Sequence, residues 1–469
     1  MKQINNWSDF EDYCSTLPNT TEQGKEFAKL VKLFLQQDPK YQVLLKNVWH
    51  HYEVPQRIRK KVHLPETDKG VDLLCETKTG EFWTVQAKYR SDQSKSMTHE
   101  LLSTFNSLTW GYCYNIKHAL VCHSTYNIVK LFETYPNLAF ESADTWWDLH
   151  PDYFKILYGR KRKVKLDPYK PFNFQKKAIN DALNHYLEKK EKNGKLIMPC
   201  GSGKSLTAYW IANGIGCNKI LVAVPSLFLV QQTMEVWLRE IVASKLDYSF
   251  HIICSDDTTR QVDDSELKTN IGDLKIPVDT NVDKISSWLT KHKKKKVVIF
   301  TTYQSGKTLS TAAKKVGFKF NFGIFDEAHK TVGLKDRQSA HLLYDNNIRI
   351  DQRMFMTATE RFYRGSNEEI NSMDDFDLYG DEFHQLSFRE AIEMSKNMKR
   401  PVLSDYEVIP IATPISEVKE LIDKNIFVKP SRLNEEVYTR FLASIIILRK
   451  VMKHNNLKHA VSFHSSLQK

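Results

Sequence analysis

Two hydrophobic periods run along this chain, and the change from one to the other divides it. Near the start, Phe27, Leu30, Val31, Phe34 and Leu35 recur at helical spacing, with Thr20-Thr21-Glu22 standing where the helix should begin. Two strand-like runs follow, Gly70–Glu76 and Phe82–Tyr89, joined by a Lys-Thr-Gly turn that predicts a hairpin. A helix over Thr98–Leu108 and a strand over His118–His123 complete this half. After residue 171 the pattern changes to short unbroken apolar runs: Leu196–Met198, Ile220–Val224, Val297–Phe300, Phe322–Phe325 and Met354–Met356, each ending in small or polar residues. Runs without alternation suit strands buried on both faces, as in a parallel sheet with helices on either side. A last helix is expected over Tyr438–Asn456 and a last strand over residues 458–466.

At 469 residues the chain exceeds one hydrophobic core. Five segments are expected: a first α/β domain (1–158), a basic proline-marked linker (159–170), a parallel-sheet domain (171–362), a connecting segment (363–430) and the beginning of a second sheet domain (431–469). The polar span Asp256–Lys296 reads as an insertion or a variable helix pair, ending in KHKKKK, a lysine run that is most simply a solvated face, with nucleic-acid contact as the alternative. The formal charge of +12 favours a polyanionic partner. No apolar run approaches the ~18 residues of a membrane span, and the N-terminal MKQINNWSDFEDYC is too polar and acidic for a secretory signal. Seven scattered cysteines without a CxxC pair argue against zinc and fit a reducing, cytoplasmic setting.

The chemistry gathers where apolar runs end. After Leu196–Met198 comes Pro199-Cys200-Gly201-Ser202-Gly203-Lys204-Ser205 and then a helical pattern: strand, glycine-rich loop, helix. Glycines let backbone N–H groups converge on phosphate at a helix N-terminus; Lys204 can reach the outer phosphates of ATP and the Ser205 hydroxyl can hold Mg²⁺. Phe322–Phe325 delivers Asp326-Glu327-Ala328-His329 at a strand end, where Asp326 can hold Mg²⁺ through water and Glu327 can orient or deprotonate the attacking water. The two places are expected at adjacent strand ends, close enough to share one magnesium–triphosphate. In the first half, Asp72 stands at one hairpin strand, while Gln86 and Lys88 share a face of the other because strand side chains alternate. A carboxylate, a second oxygen ligand and a lysine can together bind Mg²⁺, activate water and stabilise phosphorane charge.

Met198 replaces the first glycine of the common phosphate-loop pattern, and the resulting x-P-x-G-x-G-K-S resembles the loop of superfamily 2 helicases, as does DEAH. That resemblance implies that Gln175, behind Phe172, recognises adenine; that Pro225-Ser226 and the strand end at Thr302 contact nucleic-acid backbone; and that Thr357-Ala358-Thr359, with His329, couples hydrolysis to movement. Glu360 follows where the family commonly has proline. The D…QxK hairpin resembles the PD-(D/E)xK nuclease core in its Mrr-like branch, implying Asp72 and Gln86 as metal ligands and Lys88 as the catalytic lysine, with Glu26 or Glu22 standing in for a further acid on the first helix. The order nuclease, linker, motor is similar to the N-terminal part of type ISP restriction–modification enzymes. The resemblance implies a restriction-endonuclease-like domain followed by a RecA-like P-loop sheet and the start of a second RecA-like domain. It also implies ATP and Mg²⁺ as cofactors, double-stranded DNA as partner and a methyltransferase/target-recognition module further on. The later motor motifs with their arginine fingers are absent, so this polypeptide is expected to bind ATP weakly and hydrolyse it poorly. A non-nucleolytic remodeller, whose first domain only grips nucleic acid or a partner, remains the alternative, with a regulatory nucleotide switch as a third reading.

Overall fold

The computed structural model describes residues 3–128, 137–254, 274–335, 337–364, 369–396, 398, 401–405 and 448–453. The expected strand at 458–466 lies outside them, and of the expected helix Tyr438–Asn456 only 448–453 are described, as helix.

The first domain is built on a five-stranded sheet of order β1-β2-β3-β4-β5, where β1 is Leu45–His50, β2 Leu73–Thr77, β3 Phe82–Lys88, β4 Ile116–His123 and β5 Leu138–Glu141. The β1/β2 and β2/β3 pairs are antiparallel, as the hairpin predicts, and β3/β4 and β4/β5 are parallel. The helix Thr20–Gln37 buries Phe27, Leu30, Val31, Phe34 and Leu35, the predicted stripe. Its cap is Asn19, whose side chain accepts from the Glu22 N–H, one residue before the threonines read as the start. An earlier helix, Trp7–Ser15, was not anticipated; it buries Trp7, Phe10 and Cys14. Trp146 and Tyr153 are buried in this core, consistent with packing rather than base stacking, whereas Trp147 is exposed.

The second domain holds a seven-stranded sheet. Its strands are β6 (Asn193–Ile197), β7 (Lys219–Val224), β8 (Ser249–Ile253), β9 (Val297–Thr302) and β10 (Phe320–Phe325), followed by the short β11 (Gly333–Leu334), then β12 (Ile350–Thr357), the short β13 (Ile370–Asn371) and β14 (Asp381–Gln385). β11 and β13 pair with each other, and the others form one sheet of order β14-β6-β12-β10-β7-β9-β8, parallel throughout. The sheet therefore extends past residue 362 into what was read as a connecting surface segment. Gly380 leads into β14 with φ 72°, and a Cβ there would lie 1.9 Å from the Asn193 carbonyl oxygen, so β14 can dock against β6 only behind a glycine.

The linker region 161–172 carries no helix or strand, yet it is tied down. The Tyr169 N–H donates to the buried Glu240 carboxylate at 3.1 Å, and the Arg239 guanidinium lies 3.6 Å from the Tyr169 ring centre. The two domains also meet directly. Glu141, fully buried at the end of β5, accepts from Lys40 Nζ (2.8 Å), Tyr41 Oη (2.7 Å) and Thr145 Oγ1 (2.6 Å) of its own domain. Lys275 of the second domain completes the set, with Nζ 3.0 Å from Glu141 Oε2 and 3.1 Å from Thr145 Oγ1.

Burial alone would raise the Glu141 carboxyl, but Lys40 and Lys275 together hold it well below the usual carboxylate range. The stabilisation is thus complete above the ordinary value of 4.5 and is lost progressively as pH falls below it. Glu141→Gln should destabilise the full chain by about 3 kcal/mol at neutral pH, since the buried Lys40 and the half-buried Lys275 lose their counter-charge. Guanidinium titrations between about pH 5 and 3 should show a steeper loss in the parent than in the variant.

Candidate nucleotide and nuclease sites

The phosphate loop joins β6 to the helix Lys204–Ile215. Gly201 and Gly203 both sit at φ 81°, the left-handed region that favours glycine, and a Cβ on Gly203 would come within 2.7 Å of Gln175 Nε2. The loop is therefore open to backbone approach and closed to side chains. Lys204 is buried, with its Nζ 3.6 Å from Glu327 Oε1 and 3.8 Å from Cys200 Sγ. Among the described residues the buried Ser205 hydroxyl has no hydrogen-bond partner, an orphaned oxygen in the first turn of the helix after the loop.

Asp326 and Glu327 follow β10 on the same edge of the sheet. β6 and β10 are not adjacent, contrary to expectation: β12 lies between them. Because all three strands are parallel, their C-terminal ends still share one edge, and the Lys204–Glu327 contact spans the gap. Asp326 is buried; burial, then the neighbouring Glu327, pushes its carboxyl up to about 6 against the pull of Lys204. Glu327 adopts φ 47°, a left-handed conformation costing about 1–2 kcal/mol for a residue with a Cβ, and it stands between Lys204 and His329, whose Nδ1 is 3.3 Å from Glu327 Oε2. His329 Nδ1 also lies 3.0 Å from Thr357 Oγ1, which donates to the Thr359 carbonyl at 2.8 Å, so the DEAH segment and the end of β12 form one connected unit. Ala358 is half-buried beside them. Glu360 accepts from the buried Lys195 Nζ at 2.6 Å, which gives the acid at this position a partner.

The remaining motor residues divide by exposure. Gln175 is buried; it accepts from the Phe172 N–H at 2.9 Å and donates to the Ser202 carbonyl at 3.2 Å, tying the segment before its helix to the phosphate loop. Phe172 is exposed and stacks on Phe174 at 5.8 Å. Ser226 caps the helix Leu227–Ala243 by accepting from the Leu229 N–H, Pro225 is buried, and Thr302 is buried with its hydroxyl donating to Ser305 at 3.1 Å.

In the first domain the hairpin register sets the site. Asp72 precedes β2, and its Oδ2 accepts from the Ala87 N–H at 2.7 Å, which brings the carboxylate to the strand position between Gln86 and Lys88. Gln86 is buried and, among the described residues, its Oε1 has no partner, a second orphaned oxygen. Burial, then the charge of Asp68, pushes Asp72 up to about 6, while its bond from Ala87 and the charge of Lys88 oppose the rise. Asp68 escaped the sequence reading. Its Oδ1 accepts from the Gly70 N–H at 2.9 Å, and Gly70, at φ 117° in the region that favours glycine, packs beside the Gln86 amide. The Asp-x-Gly spelling of this turn just before the strand was the available signal. Glu26 instead pairs with Lys29 on its own helix, and Glu22 with Lys25. Among the described residues no cluster of three or more His, Cys, Asp or Glu side chains forms a ready metal cage.

The fold is a RecA-like parallel-sheet domain docked on a restriction-endonuclease-like α/β domain. Residues 168–362 match the family model described as type III restriction enzyme, res subunit, and residues 36–135 the model described as restriction endonuclease. A tick isolate of African swine fever virus from Malawi has a protein named "Probable helicase" that is 28% identical over 241 residues, covering 50% of this chain and 24% of the viral one. Its counterpart from a Kenyan pig isolate is 27% identical over the same length, with the same coverage. The chain thus spans about a quarter of the length of these curated relatives. Among solved structures, the ATP-dependent type ISP restriction-modification enzyme LlaBIII bound to DNA superposes with a TM-score of 0.72 at 23% identity, covering 92% of this chain and 27% of that one. Among the described residues no helix is long and apolar enough to cross a membrane.

Ser205→Ala should lower affinity for a fluorescent ATP analogue by at least about tenfold in Mg²⁺, the scale of a lost metal-supporting group. In EDTA the two proteins should bind alike; equal weakening in both media would make Ser205 a structural residue only.

Proposed function

We propose that this chain is an ATP-driven translocase on duplex DNA fused to a Mg²⁺-dependent DNA endonuclease, acting in restriction of foreign DNA. The observation that carries the reading is the pairing, in one docked body, of two similar centres: Lys204 with Asp326, Glu327 and an orphaned Ser205 hydroxyl, and Lys88 with Asp72 and an orphaned Gln86 oxygen. Bound Mg²⁺ supplies charge neutralisation of phosphate in each. In the motor, the glycine loop and Lys204 bind the triphosphate, Ser205 and Asp326 hold the ion, and Glu327 orients the attacking water and takes its proton. Gln175 carries the presence of nucleotide back to the loop through Ser202, and His329 passes the state of Glu327 to Thr357, hence to Ala358 and Thr359. Pro225, Ser226 and Thr302, at the strand ends beside Asp326, shape the surface that meets the DNA backbone. In the nuclease, Asp72, Gln86 and Asp68 hold the ion and Lys88 stabilises the charge that develops on the attacked phosphate; Glu26 lies outside this set on its Lys29 pairing. On this reading the partners are duplex DNA and a methyltransferase/target-recognition module, and the reaction takes place in the cytoplasm.

Single substitutions test the modular division. Lys204→Ala should cut DNA-stimulated ATP hydrolysis by at least about a hundredfold while leaving Mg²⁺ affinity at the first domain unchanged. Lys88→Ala should leave hydrolysis within about twofold and abolish plasmid cleavage. Loss of both activities from either change, with folding intact, contradicts the assignment; intact cleavage in Lys88→Ala favours the non-nucleolytic remodeller.

A further inference from the structure

The lysine run read as a solvated face turns out to border a cleft of about 910 Å³ between the two domains. The motor contributes the start of β8, the helix Val282–Lys291 and the turn before β9; the nuclease contributes the β2–β3 turn and the beginning of β4. Seven lysines line it, Lys78 and Lys117 from the nuclease side and Lys284, Lys291 and Lys294–Lys296 from the motor side. All seven are exposed and, among the described residues, none has an ion-pair partner within 4.0 Å. Four acids share the cleft, but Asp279 is taken by His251 at 3.0 Å and Asp283 by Lys315 at 2.6 Å, leaving Glu81 and Asp247 against seven cations. Lys117 and Lys284, one from each domain, both act on Asp279, so the two banks face one another.

The spacing of these charges says what would fill the cleft. Lys284 and Lys291 are seven residues apart on one helix, two turns along the same face, or about 10 Å. Lys294–Lys296 prolong that line past the helix end. A row of separated cations does not converge on one anion; it matches a polymer with repeating phosphates, and duplex DNA carries about one charge per 1.7 Å of its axis. The place also belongs to neither catalytic centre. Parallel β9 separates Lys296 from the strand edge bearing Asp326, and β3 separates the Lys78 turn from Lys88; each strand spans about 20 Å.

We propose that this interdomain cleft is a second DNA-backbone site, gripping the sugar–phosphate chain on the side of both domains opposite their catalytic centres. It rests on the reading of DNA as the substrate and adds a contact that belongs to the docked pair of domains. It would hold DNA in register with motor and nuclease together, without reading sequence, since lysine on phosphate carries none.

The test is fluorescence anisotropy of a labelled duplex of about 30 base pairs of arbitrary sequence with the full chain, in EDTA without nucleotide, across a salt series. The pairs Lys291→Glu/Lys295→Glu and Lys78→Glu/Lys117→Glu should each weaken binding about tenfold near 0.1 M salt and flatten the slope of log Kd against log salt by about one to two. Lys189→Glu/Lys190→Glu, equally exposed but outside the cleft, should stay within about twofold and leave the slope unchanged. Basal ATP hydrolysis, preserved in all three, reports that the motor is folded. If the cleft pairs behave like the outside pair while the parent binds DNA, the cleft proposal is overturned and the translocase reading stands, whatever acidic protein the cleft then accepts. If the parent itself does not bind DNA, both fall.

Discussion

Everything chemical in the second domain follows from one constraint: the strands of its main sheet all run the same way. A parallel sheet puts every strand's carboxyl end on a single edge, so residues far apart in the chain reach a common place without any loop having to travel. Lys204 after β6 and Glu327 after β10 come within 3.6 Å although a third strand lies between them. That intervening strand, β12, ends at Thr357, which holds His329. An arrangement with β6 and β10 side by side would have left the Thr357 unit at the margin; inserting β12 between them makes any movement of Glu327 a matter for β12 as well. The contact between the DEAH segment and the end of β12 is thus a consequence of strand order.

The docking of the two domains rests on different physics. Glu141 is a fully buried carboxylate whose partners come from two segments of its own domain and one of the other. Such a cluster contributes little net stability over an apolar seam, because desolvating the charges costs nearly what their attraction returns, but it penalises any geometry in which one partner is missing. It therefore specifies a single relative placement of nuclease and motor more strongly than it strengthens their contact. The ordered linker, held by Glu240 and Arg239, acts in the same sense.

How far this could be read from the sequence depended on how local each feature is. The phosphate loop and DEAH were legible because their chemistry needs contiguous residues after an apolar strand, and the hairpin because Asp72, Gln86 and Lys88 obey the period of two. β14 was missed because it is an edge strand, with Asp381, Glu382 and Gln385 exposed, and a half-wet edge lacks the apolar run that marked its neighbours. The helix Trp7–Ser15 is hard to read because it is only nine residues long and its Trp7, Phe10 and Cys14 stripe is interleaved with Asp9, Glu11 and Asp12. Asp68 could not be found by spacing, since its approach to Asp72 depends on the turn at Gly70. The Glu141–Lys275 contact joins residues more than a hundred positions apart, and neither has a local pattern that points to the other.

The two centres, on unrelated sheets, share a construction. In each a carboxylate at a strand terminus is pushed up to about 6, chiefly by burial and next by a neighbouring acid, with a lysine pulling the other way. In each a neutral oxygen nearby, of Ser205 or of Gln86, is buried without a partner. A rise of about two units over the ordinary aspartate value corresponds to roughly 3 kcal/mol of disfavoured charge. Folding alone has no reason to retain that penalty together with an unsatisfied oxygen, because replacing either group by an apolar one of similar size would relieve it. A divalent cation relieves both at once: it supplies the positive charge that the raised carboxylate lacks and the partner that the orphaned oxygen lacks. On the proposed reading, the unfavourable terms lie where Mg²⁺ binding would recover them, and they do so on two different folds.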